Sequence, residues 1–381
     1  MTRDAPFRFV EAFAGGGMAR LGLGPAFDCV LAIDFDPSKA AAYRANFGAE
    51  HLIEGDVWGV SGDRAPGRID LAWASSPCQD LSLAGARAGL SGARSSAFWG
   101  FWRLVEALDA EGRAPRSIVI ENVTGLLTSS RGEDFRALCA ALAERGYRFG
   151  AIEADAALWL PQSRARVFVI ATREPAGPAE ARGPVEPFAG RRVRAAFDAL
   201  PERLRERWIW WRLAAPAARN LDLAALLEPD AAVPSQAWWS PARTERTLAL
   251  MSPLQRARLE AIRARGGRAV GAVFRRIRVE NGVRVQRAEA RFDGLAGCLR
   301  TPAGGSSKQS LLIVQDGVIR ARSLTPREAA RLMGLPEDYR LPEGETRALK
   351  LCGDGVAVPV VRALTDQILT PMLSQRLRAA G

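Results

Sequence analysis

Histidine is almost missing from this chain: His51 is the only one in 381 residues. That leaves no material for a multi-histidine metal centre and argues against a catalytic triad built on imidazole. Cysteine is sparse as well. Cys29, Cys78, Cys139, Cys298 and Cys352 show no paired spacing, which argues against a disulfide framework or a zinc site and for reduced thiols. No uncharged run reaches membrane-spanning length, and no repeat or coiled-coil pattern is present. Met1-Thr2-Arg3-Asp4 has none of the features of a secretion signal. The expectation is a cytoplasmic protein with no bound metal and no membrane contact.

What is present is ordinary globular material, 48% hydrophobic and 25% charged, with length for one large or two moderate domains. The net charge is +11, almost all from Arg. Such a balance favours a polyanionic partner, with nucleic acid the first candidate. Frequent Ala-Arg pairs are also what a GC-rich genome encodes, so charge alone leaves the question open.

The spacing of apolar runs predicts an open α/β sheet. Phe9–Phe13 reads as a strand that stops at Ala14-Gly15-Gly16-Gly17, followed by a helix through Met18, Leu21 and Leu23. Glycines let backbone approach a ligand at a helix N-terminus. Cys29–Ile33 is a second strand, ending in Asp34-Phe35-Asp36, with Pro37 opening the next helix. His51–Glu54 is a third, followed by Gly55-Asp56-Val57. Ile69–Ser75 is a fourth, followed by Pro77-Cys78-Gln79. Ser117–Ile120 is a fifth, ending at Glu121-Asn122-Val123. Ligands bind outside the carboxyl ends of strands in such sheets, so Gly, Asp, Asp, Cys and Glu converge on one pocket. A lone Pro-Cys is more often a buried structural thiol than a nucleophile; here its position at a strand end, before a long loop over 84–97, favours the nucleophile.

Further on, Gln162-Ser163-Arg164-Ala165-Arg166 leads into a strand at Val167–Ala171, and Arg at i and i+2 face one way. Pro, Gly, Ala and Glu accumulate over 172–190, which places a domain boundary there. From about 190 to 320 Arg interleaves with Trp208, Trp210, Trp211, Trp238 and Trp239, Arg275–Arg291 alternates like a strand, and 301–308 is a Gly/Ser loop. This mixture suits a small Trp-based core with a DNA-binding surface. Ser323–Glu328 has the signature of a capped helix start, and Cys352–Pro359 reads as a tight glycine turn.

These pieces, in this order, resemble the DNA (cytosine-5)-methyltransferase family over almost the whole chain. Phe13-Ala14-Gly15-Gly16-Gly17, Pro77-Cys78-Gln79, Glu121-Asn122-Val123, Gln162-x-Arg164-x-Arg166, Arg327-Glu328 through Gly334-Leu335-Pro336, and Gly353-x-x-Val356 resemble successive family motifs. The resemblance implies a doubly wound Rossmann-like S-adenosylmethionine-dependent domain (1–184 and 345–381) with a smaller, mostly β target-recognition domain (185–344). It implies Phe13, Gly15, Gly17, Asp34, Phe35, Asp56, Val57, Pro77, Asp354 and Val356 as S-adenosyl-L-methionine contacts, with S-adenosyl-L-homocysteine as product and no metal. Catalysis would rest on Cys78 as nucleophile at cytosine carbon 6, Glu121 at ring nitrogen 3, and Arg166 with Arg164 at the ring carbonyl. Gln79, Ser82, Asn122, Gln162, Arg300, Gly304, Gly305 and Ser306 would contact the substrate. The substrate is double-stranded DNA with the target base flipped out, the loop over 80–97 closing on it. The enzyme would act as a monomer, beside a restriction endonuclease or alone.

Three positions depart from the family pattern: Glu11 for Asp, Asp34 for Glu, and Asp354 for Asn. Two alternatives stay open, a tRNA cytosine-5 methyltransferase and a catalytically dead DNA-binding protein. A nicotinamide oxidoreductase would share the glycine turn but has no use for Cys78 with Glu121.

Overall fold

A computed structural model of the chain describes residues 6–76, 97–219, 221–300 and 309–379. The apolar runs become strands β1 (Phe7–Ala12), β2 (Phe27–Asp34), β3 (Leu52–Glu54), β4 (Leu71–Ser75), β5 (Ser117–Val123), β6 (Arg148–Asp155) and β7 (Ala165–Thr172). They form one sheet in the order β3-β2-β1-β4-β5-β7-β6. The first five run parallel, and β7 lies antiparallel between β5 and β6. Helices α1 (Met18–Leu23), α2 (Pro37–Phe47), α3 (Ala97–Ala110) and α4 (Glu133–Glu144) connect the strands. The apolar face of α3 (Phe98, Phe101, Trp102, Val105 and Leu108) is buried in the core, as its spacing predicts. This is the doubly wound α/β class expected, with a separate small sheet.

The chain divides into two compact units, one of Met1–Asp155, Ala165–Ala215 and Val356–Gly381, the other of Ala156–Arg164 and Pro216–Gly355. In the first unit the chain over 172–190 is no separator. From Phe188 onward the chain runs along the outer edge of β6: Glu153 N–H donates to the Phe188 carbonyl (2.8 Å), Phe149 N–H to the Arg207 carbonyl (3.0 Å), and Ile209 N–H to the Phe149 carbonyl (2.7 Å). An uncovered edge strand is an aggregation template, and this segment covers it. Gly150 is required there, since a Cβ would lie 1.9 Å from the Ile209 carbonyl oxygen. Trp208 belongs to this unit rather than to a small basic domain. It packs in the large core against Phe135, Phe149 and Phe197 at 6.2, 6.1 and 5.3 Å between ring centroids.

The C-terminal helices close the same unit. The helix Val358–Leu364 packs on α1, where Gly22 leaves room for Val361 and Arg362 donates to the Leu21 carbonyl at 3.0 Å. The expected glycine turn at Cys352–Pro359 is not one: Cys352 and Gly353 are buried inside the helix Glu345–Asp354. The helical run Glu345–Gln375 is long and apolar enough to cross a membrane by length and composition, yet 61% of its most apolar window is buried within the protein.

The second unit has a four-stranded antiparallel sheet in the order β11-β10-β12-β13. Its strands are β10 (Arg268–Glu280), β11 (Val283–Arg291), β12 (Ser310–Gln315) and β13 (Val318–Ser323), after a minor pair β8 (Glu180–Ala181) and β9 (Trp210–Trp211) in the first unit. Met251, Leu259, Val273, Ala288, Leu312, Val314 and Ala321 form its core, with Trp239 packed against them.

Candidate active site

The glycine turn after β1 is built from left-handed backbone. Phe13, Gly15 and Gly17 have φ of 59°, 56° and 77°. A Cβ at Gly17 would stand 2.4 Å from the Phe47 ring, whereas one at Gly15 would meet nothing within 4 Å, so the turn is open at that point. Asp34, buried at the end of β2, braces it: one carboxylate oxygen accepts from Gly15 N–H (2.7 Å) and the other from Asp36 N–H (2.9 Å). Burial, first among its causes, pushes the Asp34 carboxyl above its ordinary range. Asp36 caps α2 through Ser38 N–H at 2.9 Å. Phe35 between them is 67% exposed, an aromatic plate held out beside a buried acid. Asp56 is exposed, accepting from Trp58 N–H at 3.0 Å, and Val57 is buried.

The arrangement fits an adenosyl cofactor: a bare glycine cradle, carboxylates at successive strand ends and a free aromatic face. Among the described residues no cluster of three His, Cys, Asp or Glu is arranged to hold a metal.

Beside this cradle, Glu121 lies inside β5 rather than at its end, level with Ser75 on β4 and opposite Phe168 on β7. Its carboxylate is nearly buried and pairs with Arg166 Nε at 3.2 Å. Glu121 and Arg166 point the same way because 166 and 168 share a face, so the pair is diagonal across the ladder. The Arg166 guanidinium also donates to the Ala165 carbonyl at 2.9 Å. Asn122, on the other face of β5, ties down the chain that leaves β4, donating to the Ser76 carbonyl (3.2 Å) and hydroxyl (3.1 Å). Ser76 is a site residue that sequence reasoning passed over; its only signal was adjacency to Pro77. Pro77, Cys78, Gln79 and Ser82, with the expected loop up to residue 96, lie outside the described residues.

Gln162 and Arg164 have different surroundings. Gln162 is fully buried; its amide donates to the Leu332 carbonyl (2.6 Å) and accepts from Leu299 N–H (3.0 Å). Arg164 is buried too, and its two terminal nitrogens donate to the carbonyls of Leu299 (2.9 Å), Gly353 (2.9 Å) and Gly355 (2.6 Å). Both side chains hold backbone. Arg300, next to Leu299, is exposed, and Gly304, Gly305 and Ser306 lie outside the described residues. Asp354 is exposed at the end of its helix and Val356 is buried.

The family described as C-5 cytosine-specific DNA methylase matches residues 7–195 and 263–370. The Type II methyltransferase M.NlaX of Neisseria lactamica is 26% identical over 366 residues, covering 95% of this chain and 96% of its own. M.HaeII of Haemophilus aegyptius, another Type II methyltransferase, is 24% identical, covering 96% and 94%. Two solved structures share the fold. The Entamoeba histolytica methyltransferase EhMeth has a TM-score of 0.64 at 14% identity, covering 98% of this chain and 99% of its own. The S. pombe Dnmt2 methyltransferase has a TM-score of 0.61 at 17% identity, covering 96% and 99%.

Proposed function

Because the chain belongs to the C-5 cytosine-specific DNA methylase family, we propose that it methylates carbon 5 of a flipped cytosine in one duplex DNA sequence, through a covalent adduct on Cys78. The observation that carries this reading is the buried Glu121–Arg166 pair beside the end of β4, three residues before Cys78.

Carbon 5 of cytosine is a weak nucleophile until the ring gains electrons. The Cys78 thiolate forms a bond to carbon 6, and the carbon 5–carbon 6 π electrons move into the ring. Glu121, as the acid, delivers a proton to ring nitrogen 3 and accepts from the exocyclic amine. Arg166 neutralises charge at the ring carbonyl oxygen and orients Glu121. Asn122 holds Ser76, two residues before Cys78, in place. Gln162 and Arg164 position backbone on the target-recognition side; of the two arginines, Arg166 is the one assigned to the base. Phe13, Gly15, Gly17, Asp34, Phe35, Asp56, Val57, Pro77, Asp354 and Val356 are assigned to the cofactor. When bound, S-adenosyl-L-methionine supplies the methyl group from its sulfonium. Loss of the carbon 5 proton to solvent water, expulsion of the Cys78 thiolate and return of the ring nitrogen 3 proton to Glu121 then free the product base and restore the enzyme. Flipping the base costs roughly a few kcal/mol, recovered from contacts with the opened duplex. The Type II designation of the relatives points to a restriction endonuclease as companion.

Expression in a methylation-free bacterial host followed by bisulfite sequencing tests the reading. One protected cytosine context is expected. Cys78→Ser abolishes it and Glu121→Gln slows single-turnover methylation about 10²–10⁴-fold. Bisulfite conversion of every cytosine with the wild-type enzyme, or full activity in Cys78→Ser, sinks it.

A further inference from the structure

The strands β10 and β11 outrun their sheet. β12 pairs with β10 only from Arg268 to Val273, whereas β11 continues to pair through Glu280. Beyond Val273 the two strands form a ribbon with no third partner, closed by Asn281-Gly282 with φ of 50° and 78°, the backbone of a tight hairpin turn. Residues 275–280 are all exposed. At about 3.3 Å per residue the free ribbon extends roughly 20 Å. A two-stranded ribbon is what the roughly 12 Å major groove of B-DNA admits.

The register sorts the ribbon into two faces of unlike charge. On one, Arg276 stands opposite Arg287 and Arg278 opposite Val285. These arginines are paired, three cations sharing two carboxylates: Arg276 and Arg278 with Glu289, and Arg287 with Glu280. On the other, Ile277 faces Gln286 and Val279 faces Arg284, with Arg275 one step behind. This face carries no acid. Ile277 and Val279, two residues apart on this face, are 59% and 69% exposed and so present apolar surface to a partner. Behind it the helix Pro241–Ala249 adds Arg243 and Arg246, whose charges, with that of Arg275, repel one another. Uncompensated cations at the base of an apolar, hydrogen-bonding ribbon match a phosphate-flanked groove.

We infer that the ribbon face bearing Arg275, Ile277, Val279, Arg284 and Gln286 reads base edges in the major groove of the target duplex. Arg284 and Gln286 supply the donors and acceptors that discriminate base pairs, and Ile277 and Val279 the apolar contact that a thymine methyl accepts. Arg243 and Arg246 hold the flanking phosphates. The inference rests on the proposed DNA methylation and names its specificity-determining residues.

The test is the set of sites methylated in host DNA by wild type, Arg284→Ala, Gln286→Ala and Arg278→Ala. Arg284→Ala and Gln286→Ala are expected to methylate new sites, with preference for the wild-type context reduced about 10–100-fold. Arg278→Ala, on the salt-bridged face, is expected to keep the wild-type set. Arg243→Ala/Arg246→Ala is expected to lower the slope of log affinity against log salt by about 2 on any duplex. A wild type that methylates one sequence, with Arg284→Ala and Gln286→Ala sharing its site set, overturns the ribbon assignment alone. A wild type that methylates nothing removes the reading above and this inference with it.

Discussion

Glu11 is the residue whose state is least expected from its type. It lies in the middle of the sheet, beside Ala32 on β2 and Trp73 on β4, and is 2% exposed. Burial, first of all, pushes its carboxyl up to about 8; Arg20 opposes the shift and Asp34 adds to it. Among the described residues, one of its oxygens has no hydrogen-bond partner. Glu11 therefore folds with a proton that the unfolded chain gives up near the ordinary value of 4.5. Since the folded state binds more protons over that span, the stability due to Glu11 is complete below about pH 4.5 and is lost as pH rises towards 8. Glu11→Gln keeps the shape and removes the titration. Thermal melts of both proteins across pH 4.5–8 should show Glu11→Gln gaining on wild type as pH rises; a constant gap would refute the assignment. The acid was legible in the sequence as a departure from the family pattern, but its protonation was not. Protonation depends on neighbours from β2, α1 and β4, brought together only by the fold. Asp34 shows the same divide: its strand-end place was readable, while its grip on Gly15 N–H required the turn.

At the scale of elements, the helix Pro326–Leu332 was the most legible. Thr325 caps it, and Glu328 completes the capping box. What lay hidden is that Glu328 also forms a two-pronged pair with Arg322 at 2.6 and 2.7 Å, both side chains fully buried. Removing one partner leaves a buried charge alone, so Glu328→Ala should cost about 3–5 kcal/mol. Arg322→Met/Glu328→Leu should cost less than that single change. Denaturant midpoints of the two variants check this; equal losses would assign the cost to packing rather than charge. Other elements escaped for physical reasons. β6 (Arg148–Asp155) has one β-branched residue, and its small side chains announce no strand. The helix ending at Asp354 holds Gly353 in its last turn and has Gly355 just beyond its end, and glycine normally marks a stop. Trp208, Trp210 and Trp211 sit after a Pro/Gly-rich stretch, so they read as part of the next domain although they complete the first.

For the whole molecule, the +11 charge is not spread evenly over function. Many arginines are spent on internal pairs, such as Arg116 with Asp70 and Glu174, so composition pointed to a polyanion without locating it. The charge still sets the partner's salt sensitivity. DNA affinity should fall at least about 10³-fold between 50 and 200 mM salt if six or more phosphates are engaged. Fluorescence anisotropy on a mixed-sequence duplex measures it, and a flat response would place the arginines elsewhere. Finally, α1 carries the glycine turn yet leans on the helix Val358–Leu364, and Arg116 is anchored to the Leu373 carbonyl 257 residues away (3.0 Å). A ribosome adding about 5–20 residues per second needs roughly 20–70 s to travel from Gly22 to Val361. During that interval the nascent chain completes the strands of its large sheet but still lacks the brace behind its glycine turn. The cradle therefore acquires its backing only after the whole second unit, Ala156–Arg164 with Pro216–Gly355, has been synthesised.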